Sequence, residues 1–175
     1  MGWDRNRVPV KLYVITACSR PENLRFLTPS LARAAQGHDV TWHLRFDAER
    51  IYVGGQALKN RMLDEITDGW VWILDDDTLV YPDLFARAAD VTVRNWTVEA
   101  IVVSQKRADG GILLACRENV RVGQIDIGQV ILHRDLIGDE RIPLTYDGDG
   151  IFLEKVLAGA NVVFVNDVLS LHNAL

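Results

Sequence analysis

Three carboxylates stand side by side at Asp75, Asp76 and Asp77, directly after the apolar run Trp70-Val71-Trp72-Ile73-Leu74. Adjacent anions repel one another, and at least one is pushed toward its protonated form unless a cation sits among them. A hard divalent ion supplies that cation: Mg2+ and Mn2+ take one or two carboxylates together with phosphate oxygens and water. The triplet therefore reads as a metal-phosphate site. The plainer alternative is a turn, with Asp76 or Asp77 capping the segment at Pro82 or satisfying loop amides.

The elements around the triplet must hold it in place. Residues 10–17 are mostly apolar and β-branched, which predicts a strand. Ser19-Arg20-Pro21-Glu22 then has the form of a capping box with Pro early in the first turn. A helix carrying Leu24 and Leu27 should follow, restart at Thr28-Pro29 as a second short helix, and end at Gly37. Residues 40–46 alternate as a second strand. Between Gly55 and Ile66, Leu58, Met62 and Ile66 recur every four residues while Lys59, Arg61, Asp64 and Glu65 face elsewhere, which predicts an amphipathic helix. Residues 70–74 form a central strand, and Pro82 opens a helix through Ala89. Strands are predicted at 98–104, 112–116, 129–133 and 161–165, and a helix at about 150–158 closed by Gly159.

Alternating strand and helix predicts an α/β fold: a three-layer α/β/α sandwich around a mainly parallel sheet, Rossmann-like, in one minimal domain spanning residues 1–175. Ligands bind such sheets at the carboxyl ends of the strands. Three segments bring polar residues to that rim: Thr16 to Arg20, Asp47, and Asp75 to Asp77.

Composition narrows the field. The 175 residues are 49% hydrophobic and 25% charged, within the range of one globular domain. Nineteen Lys and Arg against 24 Asp and Glu leave a net charge of −5, so a nucleic-acid clamp built on bulk positive charge is excluded. No apolar run reaches the roughly 20 residues of a membrane helix. Met1-Gly2-Trp3-Asp4-Arg5 has no apolar stretch behind its charges, which predicts no secretory signal and a cytoplasmic location. In that compartment Cys18 and Cys116 read as reduced thiols, although they could pair if the fold brought them together. The sequon Asn95-Trp96-Thr97 then carries no information.

Three stretches carry a family resemblance: Gly54-Gly55-Gln56-Ala57-Leu58-Lys59-Asn60-Arg61-Met62-Leu63, Trp70 through Thr78, and Tyr81-Pro82-Asp83-Leu84-Phe85. In that order they resemble nucleotide-sugar-dependent glycosyltransferases of the GT-A fold, family 2 and the glucuronosyltransferase family among them. Ala17-Cys18-Ser19-Arg20-Pro21 is similar to their first nucleotide-binding loop and Phe46-Asp47-Ala48 to their second. The resemblance continues through Gly148-Asp149-Gly150 to Gly159 and ends at Leu171-His172-Asn173. It implies a nucleotide-binding half at about 10–105 and an acceptor half at about 106–175. It implies Mn2+ or Mg2+ on Asp77, with Asp75 and Asp76 against ribose or metal-bound water. Asp47 would receive uracil, Thr16, Ala17 and Arg20 would line the nucleotide, and Lys59 would reach uracil, ribose or phosphate. His172 would complete the metal shell if the chain end folds back, and is otherwise a surface or capping residue.

Inverting members of these families use a carboxylate to deprotonate the acceptor hydroxyl. Asp149 stands at the matching place, with Asp147 as its rival; both could equally be turn or N-cap residues. Glycines around them would let the backbone approach a sugar closely. The implied activity is transfer of a hexose from a UDP-sugar, UDP-glucose or UDP-galactose, to a sugar, lipid or protein acceptor. The chain is short for such an enzyme, so a partner or a second copy in a homodimer could complete the acceptor site. Two alternatives stand beside it. One is a haloacid-dehalogenase-like phosphatase with Asp75 as nucleophile, whose pattern wants Thr or Val where Leu79 stands. The other is a non-catalytic nucleotide-sugar-binding domain.

Overall fold

The computed structural model describes residues 10–48 and 55–175. Strand β1 (Leu12–Cys18) is flanked by parallel partners β2 (Val40–Phe46) and β3 (Trp70–Ile73). Beyond β3 the ladder continues through β7 (Val130–His133), β5 (Ala100–Arg107), β8 (Val162–His172) and the short β4 (Leu79–Val80), with β6 (Ile112–Leu113) on β5. β7 runs antiparallel to both neighbours, whereas β5 and β8 pair in parallel. Hence β1, β2, β3, β5 and β8 all point the same way, and the mainly parallel expectation holds with three strands reversed, β7 in the middle of the sheet and the two-residue β4 and β6.

The helices divide between the two faces. α1 (Leu24–Ala34) and α3 (Leu84–Arg94) cover one side, packing Leu27, Leu31, Leu84 and Phe85 on Leu12, Val14, Trp70 and Trp72. α2 (Gln56–Asp64) and α5 (Gly148–Val156) cover the other, packing Met62, Leu63, Phe152 and Leu153 on Ile15, Val71 and Ile73. Successive strand residues thus feed opposite cores, as the period-two geometry of a strand buried on both faces demands. A one-turn helix, α4 (Arg134–Ile137), follows β7.

Several elements differ from the sequence expectation. The capping box at Ser19 does not form: residues Pro21–Asn23 make a 3-10 turn without a side-chain cap, because Ser19 is turned toward Asp76 instead. Pro29 does not restart the helix but sits inside α1. Its ring lies on the exposed face, and burial of Leu27, Leu31 and Ala34 on the other face outweighs the lost backbone bond. β8 runs to His172 rather than stopping at 165, since register shifts between Val103 and Gln105 let the pairing resume past a bulge. Both cysteines are free.

Candidate functional site

The carboxyl ends of β1, β2, β3, β5 and β8 share one edge of the sheet, and the residues that follow them line it. Because β7 runs the other way, its amino end reaches the same edge and delivers Asp126. Sequence reading missed Asp126 altogether; the only local signal was the Asp-x-x-Gln spacing to Gln129, which here is a completed capping box.

The triplet divides at once. β3 ends at Ile73 and the chain turns, with the Thr78 N–H donating to the Asp75 carbonyl at 3.2 Å. That turn sends Asp76 and Asp77 to one side and Asp75 to the other. Asp76, 2% exposed, accepts from the backbone N–H groups of Ser19 (2.6 Å) and Arg20 (2.8 Å) and from the Arg20 Nε (2.9 Å). Burial pushes its carboxyl upward, but the Arg20 guanidinium and the two amides outweigh it and hold the group below the ordinary carboxylate range. Arg20 also donates to Asp77 Oδ2 at 2.8 Å, while Asp77 Oδ1 is buried without a hydrogen-bond partner. The Ala174 N–H donates to the Asp77 carbonyl and ties the end of the chain to this turn.

Asp75 faces a different company. Its Oδ1 lies 2.6 Å from Nζ of Lys59, a side chain with no solvent exposure. The ammonium has no aligned hydrogen-bond acceptor among the described residues, so the contact is one of charge. Burial works against the charged amine, yet Asp75, Asp149 and Asp126 together keep it protonated far above neutrality. Lys59 occupies the buried stripe of α2 with Met62 and Leu63, not the outward face that the four-residue repeat suggested.

Ligand atoms of Asp75, Asp126 and His172 lie within 4.8 Å of one another. The imidazole Nε2 is 3.8 Å from Asp126 Oδ2, and its Nδ1 is buried without a partner. Asp126 Oδ1 accepts from the Gly128 N–H at 2.8 Å, which leaves Oδ2 turned inward. Burial pushes Asp126 up to about 6; His172 opposes this, and Asp75 and Asp149 add to it. Asp149 joins from the first turn of α5, its Oδ1 buried and unpartnered, and burial raises its carboxyl as well, with Lys59 acting against the rise. Carboxylates, an imidazole and orphaned ligand atoms are what a divalent cation would satisfy, and Mn2+ or Mg2+ fits this donor set. The residues that gather for it are Asp75, Asp126 and His172. Asp77, the expected metal ligand, stands outside that group, held by Arg20.

Thr16 is fully buried near the end of β1, and its hydroxyl accepts from Trp42 Nε1 at 3.0 Å. Ala17 abuts Gly55, whose φ of 67° and near contact with the Ala17 side chain leave no room for a Cβ. Asp47 follows β2, its N–H bonded to the Cys18 carbonyl at 2.8 Å, with its carboxylate beside Gly55. Gly54, the first residue of the helix motif, lies outside the described residues. Asp147 is exposed at the start of α5 and makes no capping bond. Gly148 and Gly150 serve packing: a Cβ on either would strike the Pro143 carbonyl or the Val122 backbone. Their freedom seats α5 against the protein itself, and thereby Asp149. From α2, Asn60 exchanges two 2.9 Å bonds with Ile142 and Gln56 donates to the Thr145 carbonyl, fixing the approach to α5. A cavity of about 300 Å³ opens beside Asp126, Asp149 and His172, with Arg107 and Tyr146 at its wall.

No family model and no curated protein matches this sequence. Solved structures do. TarS residues 1–349 from S. aureus superpose with a TM-score of 0.70 at 16% identity, over 93% of this chain and 60% of that one. The same protein in complex with UDP-GlcNAc gives a TM-score of 0.68 over 92% of this chain. The mannosyltransferase PcManGT from Pyrobaculum calidifontis, in complex with GDP-Man and Mn2+, gives 0.70 at 16% identity over 97% of this chain and 58% of that one. This chain spans about three-fifths of the length of each, and the likeness establishes the GT-A fold that the sequence resemblance implies.

Proposed function

We propose that this domain is a nucleotide-sugar-dependent glycosyltransferase that moves a hexose from a UDP-sugar, UDP-glucose or UDP-galactose, to an acceptor hydroxyl. One observation carries the reading: Asp75, Asp126, His172 and Asp149 converge at the carboxyl edge of a GT-A sheet, where such folds receive ligands. It is supported by the nucleotide-sugars held by TarS and PcManGT.

Asp75, Asp126 and His172 would hold Mn2+ or Mg2+. The cation would neutralise the charge growing on the departing nucleoside diphosphate. Asp47 and Ala17, in the half spanning about 10–105, border the space for the base, while Arg20 clamps Asp76 and Asp77 so that the loop after β1 keeps its shape. Asp149 accepts the proton of the acceptor hydroxyl as that oxygen attacks the anomeric carbon, which gives inversion. Its raised carboxyl suits the task, because a base works best with a pKa nearer the operating pH. The acceptor enters through the cavity by Arg107 and Tyr146, in the half spanning about 106–175. The phosphatase alternative is disfavoured: its nucleophile would be Asp75, which is engaged by Lys59 and grouped with Asp126 and His172.

A thermal-shift panel of nucleoside diphosphates with and without Mn2+ tests the reading. UDP at about 100 times its dissociation constant should stabilise the protein by about 2.7 kcal/mol, and only when Mn2+ is present. Stabilisation by GDP alone would keep the class and overturn the uridine assignment. Phosphate release from a phosphomonoester, without labelled sugar appearing on any acceptor, would overturn the class.

A further inference from the structure

Lys59 is a buried cation among the residues that would bind a metal, and it has nowhere else to go. Met62 and Leu63 flank it on the same buried stripe, and α2 is pinned by the bonds of Gln56 and Asn60 to the segment before α5. Its Nζ touches Asp75 at 2.6 Å, and Asp75 is one of the three grouped ligands. Any divalent ion on those partly buried ligands would therefore sit close to a fixed, fully buried positive charge, and like charges repel. With Asp75, Asp126 and Asp149 ionised, Lys59 and one divalent cation together balance three negative charges, and a diphosphate then enters a site that is not anionic.

We infer that Lys59 is a positioning residue that holds Asp75 and, as a fixed positive charge beside the grouped ligands, weakens their hold on a divalent cation. This rests on the metal reading above. Removing the ammonium must strengthen binding of the metal, with UDP or without, which loss of a merely structural lysine would not do.

The test is the Mn2+ dissociation constant, measured by electron paramagnetic resonance of free Mn2+ with and without UDP, in the intact chain and in Lys59→Met, Lys59→Gln and Lys59→Arg. Lys59→Met should bind Mn2+ about tenfold more tightly, with UDP or without. Lys59→Arg, which keeps the charge, should stay near the parent. If Lys59→Met does not melt cooperatively, Lys59→Gln is read in its place. Unchanged or weaker Mn2+ binding in a cooperatively melting neutral variant overturns the inference. Absence of Mn2+ binding by the parent chain, with UDP or without, overturns the metal reading itself.

Discussion

Asp76 and Asp77 are met by the Arg20 guanidinium and, for Asp76, by two backbone amides; Asp75, one peptide bond earlier, is met by a buried lysine and two further acids. The first side is closed in charge by Arg20, within a short arc between the ends of β1 and β3, although Asp77 Oδ1 stays without a hydrogen-bond partner. The second is open: Asp126 and Asp149 are pushed toward their neutral forms, and His172 and Asp149 keep buried atoms without partners. A structure that satisfies one carboxylate with five donors and leaves its neighbours wanting has divided the labour of the triplet. In the proposed reading, closed charge holds the loop and open charge takes the ligand.

The sharpest way to break this comparison is Asp149→Asn. If the open side holds the base, transfer should fall by about 10² to 10⁴-fold while UDP affinity stays within about twofold. Transfer at the parent rate would remove Asp149 from that role and return Asp147 to consideration. On the closed side, Arg20→Ala should act on stability instead. It strands two largely buried carboxylates, and with Arg20 itself part-exposed the cost is about 2 kcal/mol in chemical denaturation. Loss of Mn2+ affinity without loss of stability would mean that the closed side is a ligand site after all.

The smallest effect is a dependence on pH. Asp126 is raised to about 6 in the folded protein and titrates near the ordinary Asp value when unfolded. The folded state therefore binds the extra proton between those values. The contribution of Asp126 to the stability of the metal-free protein should be fully present below the ordinary Asp range and be lost as pH climbs through about 6, with Asp149 acting in the same sense. Asp126→Asn keeps an oxygen for the Gly128 N–H, should flatten that slope, and should raise the melting temperature at pH 7 by about 3–6 °C in EDTA. A slope of the opposite sign would show that the open side is already neutralised.

The elements around the closed side were readable in advance, because each rests on local pattern: the apolar runs of β1 and β3, the alternation of β2, and the polar residues just past their ends. Arg20 and the triplet sit at strand ends, where a parallel sheet puts its ligands. The open side was readable only in pieces. Asp149 and His172 could be named, but Asp126 precedes a strand whose reversed direction no local pattern encodes. Lys59 breaks the rule that lysines on an amphipathic helix face water, since its partners come from segments 16 to 90 residues away.

What the order of residues determined on its own was therefore the alternation of strand and helix, the edge where function gathers, and the presence of more acid there than water alone would explain. Only the assembled sheet decided which acids stand together. A turn after β3 splits neighbours that are adjacent in the chain, and the reversed β7 and the bulged, lengthened β8 deliver Asp126 and His172 from afar. Charge acts through distance in space, and contact between residues far apart in sequence exists only once the layers have packed.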